Sequence, residues 1–200
     1  MIKRIQFFSG STEPAVRTRG ADAPLRAAMC RVIHASKGTE PAHAAIGITW
    51  FHDLPALQRY EEREPGTAII AEEHILRGAD WLERRWRERT PKYKHMALAR
   101  RAAGLSAAEF SERWRNRPGR IGNGAAAPTV EIPAAARGLA YVQNHPIHEA
   151  QYDAINEVYF DDIASMQSRI AFFKGHNAAQ ADADLVSEAC FVIVEEQLLL

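Results

Sequence analysis

The run AIGITWFHDL at Ala45–Leu54 decides how the chain is organised, because a second copy of it occurs in the other half. The run AINEVYFDDI at Ala154–Ile163 matches it without a gap. Each copy reads as a strand followed by an Asp that can cap a helix. Two further runs, AEEHIL at Ala71–Leu76 and VEEQLL at Val194–Leu199, match in the same order. The two matches together indicate two copies of one structural unit.

The hydrophobic pattern around these runs predicts strands that alternate with helices. Strands are predicted at 2–9, 29–35, 44–51, 67–75, 92–100, 137–145, 154–160 and 189–200. Helices are predicted from Asp53 to about 62, over 78–89, after a Ser106–Glu109 capping box and over 163–174, with a weak helix at 15–28. Loops are predicted at 120–134 and 175–184.

This element order predicts an α+β fold of two tandem ferredoxin-like βαββαβ units. The first unit spans 1–90 and is interpreted as a degenerate copy of the second, which spans 91–200. A sheet with helices on one face leaves its other face uncovered, so a second sheet is expected to pack there. We therefore expect antiparallel sheets that form an α+β barrel, either within one chain or between two.

The composition excludes several functional classes. The 200 residues carry 25 Lys and Arg against 25 Asp and Glu, so the basic excess of a general nucleic-acid binder is missing. Zero net charge favours self-association, and we expect a homodimer. Two cysteines without a CxxC pair exclude a zinc ribbon or a redox motif, and both are interpreted as reduced cysteines of the core. No apolar run could span a membrane and the start lacks a signal-peptide pattern, which predicts a cytoplasmic protein.

Three conspicuous stretches have ordinary interpretations. The arginines of residues 84–89 are balanced by glutamates and are interpreted as a solvated helix face. The Gly- and Ala-rich residues 119–127 lack the pattern of a phosphate-binding loop. His145 and His148 lack a third partner at a defined spacing, so we expect no metal site. We also expect no organic cofactor.

Three motifs follow one another in the second half. They are GLSAAEFSERW at Gly104–Trp114, YVQNH at Tyr141–His145 and YDAINEVYFD at Tyr152–Asp161. In this order and at these separations they resemble the EthD-like family of the dimeric α/β-barrel superfamily. The resemblance covers roughly residues 92–200, whereas the first half matches only through its strand–helix piece.

The resemblance implies small-molecule chemistry without fixing the reaction. EthD-like members are linked to ether degradation and to the tailoring of aromatic polyketides. The wider superfamily holds cofactor-free monooxygenases, polyketide cyclases, lactone isomerases and haem binders, so fold does not settle function. The family helix usually ends with a His shortly after the Trp, and here Arg117 stands at that place. If that His is an acid or base in some members, this chain must use another group.

Strand alternation predicts that a set of polar side chains shares one sheet face. Apolar Phe160, Val142 and Met96 are expected to lie under the helices, which leaves the polar residues of the same strands on the opposite face. The predicted set is His95, Tyr141, Gln143, His145, Glu157 and Tyr159. A His and a burial-shifted Glu in one cluster could move a proton near neutral pH.

These residues give the predicted chemistry. We expect His145 or Glu157 to be the base and Tyr141 or Tyr159 to donate to a developing oxyanion. The expected substrate-binding residues are Trp114, Arg117, Asn144, Gln143, His95 and Phe110. The predicted function is cofactor-independent proton transfer on an aromatic or polyketide-like carbonyl compound, as in a cyclase, isomerase, dehydratase or lyase.

Two other functions stay open. In the first, the polar set is only a buried network between sheets, in a non-catalytic ligand-binding or assembly protein of the same fold. In the second, the chain is a cofactor-free monooxygenase, with Trp114 beside an electron-rich phenol; haem binding ranks below both. The expected partner is a small-molecule substrate, and neither nucleic acid nor a membrane.

Overall fold

The described part of the chain contains eight strands. A computed structural model describes residues 1–9, 20, 22–35, 43–89, 92–116, 131–175 and 184–200. The strands are β1 (Ile2–Phe8), β2 (Arg26–Ala35), β3 (Ala45–Phe51), β4 (Ile69–Arg77), β5 (Lys92–Arg101), β6 (Ala140–Pro146), β7 (Ala154–Phe160) and β8 (Val186–Leu198). All eight predicted strands are confirmed, although β2 begins earlier than predicted and takes in the end of the predicted weak helix.

In the described ranges, five helices connect these strands. They are α1 (Leu54–Glu61), α2 (Ala79–Glu88), α3 (Ala107–Arg115), α4 (Ala134–Arg137) and α5 (Ile163–Gly175). The Asp53 carboxylate accepts a hydrogen bond from the Ala56 N–H (2.9 Å), and Ser106 forms the predicted capping box with Glu109. The helix α5, with 13 residues, is too short to cross a membrane, and no other described helix is long and apolar enough.

The strands form one closed antiparallel barrel in the order β1-β3-β2-β8-β5-β7-β6-β4. β4 pairs with β1 and closes the ring. The pairings β2–β8 and β4–β6 join the first four strands to the last four. The neighbour order of the first four strands, β4-β1-β3-β2, is repeated by the last four as β8-β5-β7-β6.

The predicted fold class is wrong. Two tandem ferredoxin-like units in an α+β barrel would give two separate sheets, whereas the structure is a single closed β-barrel that forms within one chain. More of the described residues lie in strands than in helices. Free sheet edges expose unpaired backbone groups. Here β2 pairs with β8 and β4 pairs with β6, so the backbone groups at these four edges are hydrogen-bonded. The unit boundary at residues 90 and 91 stays a prediction.

Apolar side chains fill the middle of the barrel. Ile5 lies opposite Ile48, and Leu98 lies opposite Ile155, so these pairs point to the same side of the sheet. All four belong to one buried cluster that also contains Cys30 and Cys190, whose sulfur atoms are not joined in a disulfide. The predicted core position of the two reduced cysteines is confirmed.

The helix α2 covers one end of the barrel. Leu82 packs against Val142 and Tyr159, which point inward, and Trp86 packs edge-on against the inward-facing Trp50 at 5.0 Å between ring centroids. A helix outside the wall reaches inward-facing residues only over an open end. α2 therefore closes that end.

The arginine-rich stretch is not entirely a solvated face. Arg84 is exposed as predicted, but the Arg85 side chain is 1% exposed and forms an ion pair with Glu196 inside the barrel. The prediction failed for Arg85 because charge balance within the helix says nothing about a carboxylate on a distant strand. α2 turns Leu82, Arg85 and Trp86 inward, at the spacing of one helix face.

We expect Gly78→Ala to destabilise the protein much more than Gly104→Ala. Both glycines have a positive φ (79° and 88°), which costs a residue with a Cβ about 1–2 kcal/mol. A Cβ at Gly78 would also lie 2.3 Å from the Leu139 carbonyl oxygen, whereas one at Gly104 meets nothing within 4 Å. Urea unfolding of both variants measures the difference, expected to be about 1–3 kcal/mol. Equal losses of stability in the two variants would contradict the close contact described between Gly78, at the start of α2, and Leu139.

Candidate functional site

The register between β6 and β7 divides the predicted one-face set. Val142 lies opposite Glu157, and Gln143 lies opposite Asn156. Residues directly opposite one another share a face. Glu157, Tyr159 and Asn144 therefore point into the barrel, whereas Tyr141, Gln143 and His145 lie on its outer face.

The one-face prediction is wrong because apolarity does not distinguish the two faces of a closed barrel wall. The interior must be filled by apolar side chains too. Met96 lies directly opposite Glu157 and so faces inward with it. His95 consequently lies outside and stacks on Phe191, with 5.5 Å between ring centroids. Burial, together with nearby Arg169, lowers the pKa of His95 to about 3.

The interior holds a network of buried charges at the end covered by α2. We call the six residues that form it the inner charge network: Lys3, Glu73, Arg85, Lys94, Glu157 and Glu196. Three cations balance three carboxylates. Glu73 is 6% exposed at its side chain, and the other five side chains are exposed by 1% or less.

Glu157 is the centre of this network. The Lys3 ammonium donates to Oε1 and the Lys94 ammonium to Oε2, each at 2.5 Å. The Asn144 amide and the Tyr159 hydroxyl each add a hydrogen bond of 2.9 Å. Burial alone would raise the pKa of Glu157, but the charge of Lys3 and these hydrogen bonds outweigh it and lower the pKa. Glu157 is therefore an ionised carboxylate with both oxygens engaged.

The rest of the network consists of two similar halves. Lys3 binds Glu73 (2.9 Å), and Lys94 binds Glu196. Glu73 and Glu196 occupy equivalent places in the matched runs AEEHIL and VEEQLL. The lysines lie opposite equivalent aromatic residues, Trp50 and Tyr159. The sequence match thus contained a signal for these carboxylates, but the lysines give no sign of burial in the sequence.

The geometry of the network supports the barrel rather than proton transfer to a substrate. Glu157 is fully buried and its oxygens already accept four hydrogen bonds, so a substrate has no access to them. Burial and the Glu157 charge raise the pKa of Tyr159 well above its usual value, so its hydroxyl stays protonated. Glu157 and Tyr159 are both buried, so a substrate cannot reach them for the catalytic roles that were predicted.

A second polar cluster lies on the outer face beneath α3. We call it the α3 site, and it consists of Ser111, Trp114, Tyr141, Gln143, His145 and Asn156. Trp114 donates its indole N–H to Asn156 Oδ1 (3.0 Å), and the Asn156 amide donates to the Tyr141 hydroxyl (3.0 Å). Four of these residues were predicted site residues, and the strand register brings them together with two that were not.

Gln143 fixes the state of the His145 ring. The Gln143 amide NH₂ donates to the Trp114 carbonyl oxygen (3.3 Å) and to the Tyr141 hydroxyl (3.2 Å). Gln143 Oε1 consequently faces His145 Nε2 (3.2 Å) and can only accept, so Nε2 carries the proton. A flipped amide would place two carbonyl oxygens against each other.

His145 therefore presents an unprotonated Nδ1 to α3. Ser111 Oγ lies 2.7 Å from that nitrogen and donates its proton to it. Burial, together with His74 and Arg115, lowers the pKa of His145 to about 4, so the ring is neutral at pH 7. His145 is 4% exposed, whereas Ser111 and Trp114 are partly exposed. The basic nitrogen is reached from outside through Ser111.

The remaining predicted site residues lie elsewhere or are not described. Phe110 is buried and packs against Ala99 and Ala154 on the outer wall, and its ring stacks on Trp114 at 5.5 Å. Arg117 lies outside the described residues. Ser111 was missed because its partner is on a strand far away in the sequence. Within the described ranges, no three His, Cys, Asp or Glu side chains are grouped in a way that could hold a metal ion.

Comparisons with known proteins found no match. No family model matches the chain. No curated protein matches it, and no solved structure does.

We expect Glu157→Gln to destabilise the barrel by about 3–5 kcal/mol, because it leaves a net positive charge among buried lysines. Glu188→Gln is the matched control: Glu188 pairs with Arg100 on the surface, where both side chains are about half exposed. The loss of stability in Glu188→Gln is expected to stay within about 0.5 kcal/mol. Chemical denaturation at pH 7 compares the two, and similar small losses would show that the network does not stabilise the fold.

Proposed function

We propose that the chain is a cofactor-independent enzyme that transfers a proton on a small aromatic or polyketide-like carbonyl compound, with His145 as the base. The observation that carries this proposal is the orientation of the His145 ring. Gln143 holds Nε2 as a donor, so the lone pair of Nδ1 faces the partly exposed Ser111. A general base needs an unprotonated nitrogen within hydrogen-bond reach of the proton or of a relay to it, and Ser111 Oγ, 2.7 Å from His145 Nδ1, is such a relay.

The neighbouring side chains suit such a substrate. Trp114 offers a partly exposed aromatic ring on which a planar compound can pack. The Tyr141 oxygen accepts hydrogen bonds from the Gln143 and Asn156 amides, which strengthens its O–H as a donor. The proton leaves the carbon next to the carbonyl group and moves to Nδ1, with the Ser111 hydroxyl as the relay between them.

The EthD-like resemblance points to the same place. Two of the three segments that carry it, Gly104–Trp114 and Tyr141–His145, supply five of the six residues of the α3 site. Membership of that family and the aromatic or polyketide-like substrate remain part of this proposal. Abstraction of a proton next to the carbonyl group is a first step that cyclase, isomerase, dehydratase and lyase reactions on such compounds can share.

A non-catalytic ligand-binding or assembly protein is the second candidate. It is favoured by the mutual hydrogen bonds of Trp114, Gln143 and Asn156, which would also hold α3 on the barrel without any substrate. The expected homodimer would fit this candidate equally well. This candidate would be supported if variants of the α3 site lost stability but no catalytic activity.

We expect the protein to accelerate exchange of the methyl protons of acetophenone in D₂O, and His145→Ala to lower the rate at least about 100-fold. Acetophenone is used as a small aromatic carbonyl probe, and proton NMR follows the exchange. His148→Ala is the matched control, because His148 is exposed and lies three residues away. No exchange above the buffer rate, or equal rates in both variants, would overturn the assignment of His145.

The pH dependence gives an independent check. Because the pKa of His145 is lowered to about 4, its ring is already neutral above pH 5. We expect the exchange rate, corrected for the buffer reaction, to stay level between pH 5 and 8 and to fall as the pH approaches 4. An inflection near pH 6.5, the ordinary value for His, would show that the base is another histidine or that His145 is solvated.

A further inference from the structure

We propose that Ser111 is a nucleophile, and that Ser111, His145 and Gln143 form an acyl-transfer relay that acts on small aryl esters. This activity goes beyond proton transfer on a carbonyl compound. It uses the same imidazole but does not depend on that reaction being the native one.

The hydrogen-bond directions are those that activate a serine. Gln143 Oε1 accepts from His145 Nε2, and His145 Nδ1 accepts from the Ser111 hydroxyl at 2.7 Å. The base thus withdraws the hydroxyl proton while a third group orients the base. The Trp114 carbonyl oxygen fixes the third group in turn, since it accepts from the Gln143 amide.

The surroundings admit an ester. Ser111 is partly exposed on α3, so a substrate reaches Oγ from outside the barrel, whereas both cysteines are buried. Arg115 lies one turn further along the same helix face, and its charge acts on His145. Its exposed guanidinium can therefore donate to the oxygen of a tetrahedral intermediate. Trp114, also partly exposed, offers a surface for an aryl group.

The reaction balances without a cofactor. Ser111 Oγ forms a bond to the ester carbon as its proton moves to His145 Nδ1, and the carbonyl electron pair moves to the oxygen that faces Arg115. The intermediate then breaks its bond to the leaving phenoxide, which takes the proton from Nδ1. Water then attacks the carbonyl carbon of the acyl group while its proton passes to Nδ1. The bond from that carbon to Ser111 Oγ breaks, Oγ takes the proton from Nδ1, and the acid and the free serine are released.

The third group predicts a slow reaction. Gln143 orients the ring, but as a neutral amide it stabilises the imidazolium less than a carboxylate would. The acyl-enzyme is consequently expected to form faster than the reaction turns over. Covalent labelling is the sharper test for such a site.

The test is labelling with a fluorophosphonate probe, read by intact mass and peptide mapping. We expect a single adduct at Ser111, no adduct in Ser111→Ala, and labelling slowed at least about 100-fold in His145→Gln. Ser168→Ala is the matched control, because Ser168 is an exposed helix serine that donates to the Ala164 carbonyl oxygen. It should label like the unchanged protein.

Two results would overturn the proposal: no adduct on the unchanged protein, or an adduct that persists in Ser111→Ala. Thermal unfolding of each variant shows whether it is folded. Alkylation of Ser111→Cys by iodoacetamide provides a second test of reactivity at the same position. Failure here is distinct from failure of the proton-transfer function. Labelling needs no acetophenone exchange, and exchange needs no covalent adduct.

Discussion

The carboxylate of Glu157, held between two buried ammonium groups, is the interaction on which the barrel depends. It joins β7 to β1 through Lys3 and to β5 through Lys94, so it connects strands from both halves of the chain. Isolated charges in such an interior would cost several kcal/mol each. Balance among three cations and three carboxylates, with further donors from Asn144 and Tyr159, offsets that cost. α2 completes the balance, because it supplies Arg85.

Closure of the barrel separates structural from chemical roles. The interior is filled by an apolar cluster and by the inner charge network, so polar groups available to a substrate must lie outside the wall. Outside, the helix that follows β5 packs over β6 and β7 and brings Ser111 to His145. The two polar clusters are back to back across one sheet: Gln143 faces outward and its neighbour Asn144 binds Glu157 inside.

The sequence predicted the elements well and the faces poorly. Strand positions follow from alternation and helix starts from Asp53 and Ser106, which are local signals. The closed ring could not be predicted, because the pairings β2–β8 and β4–β6 depend on edges that no local pattern describes. The same holds for the site. His145, Gln143 and Tyr141 were correctly grouped by their alternation, but Glu157 was assigned to their face since apolar Val142 suits either side of a barrel wall.

Closure between distant strands also has a kinetic consequence. Lys3 and Glu157 are separated by 154 positions along the chain, and contacts of such long range form slowly, after loop entropy has been lost. The Lys3–Glu157 pair can form only when the two halves of the chain meet, so we expect it to form late in folding. An interaction that forms after the transition state acts chiefly by slowing unfolding. The ion pair between the two halves thus contributes more to the lifetime of the closed barrel than to the rate at which the barrel forms.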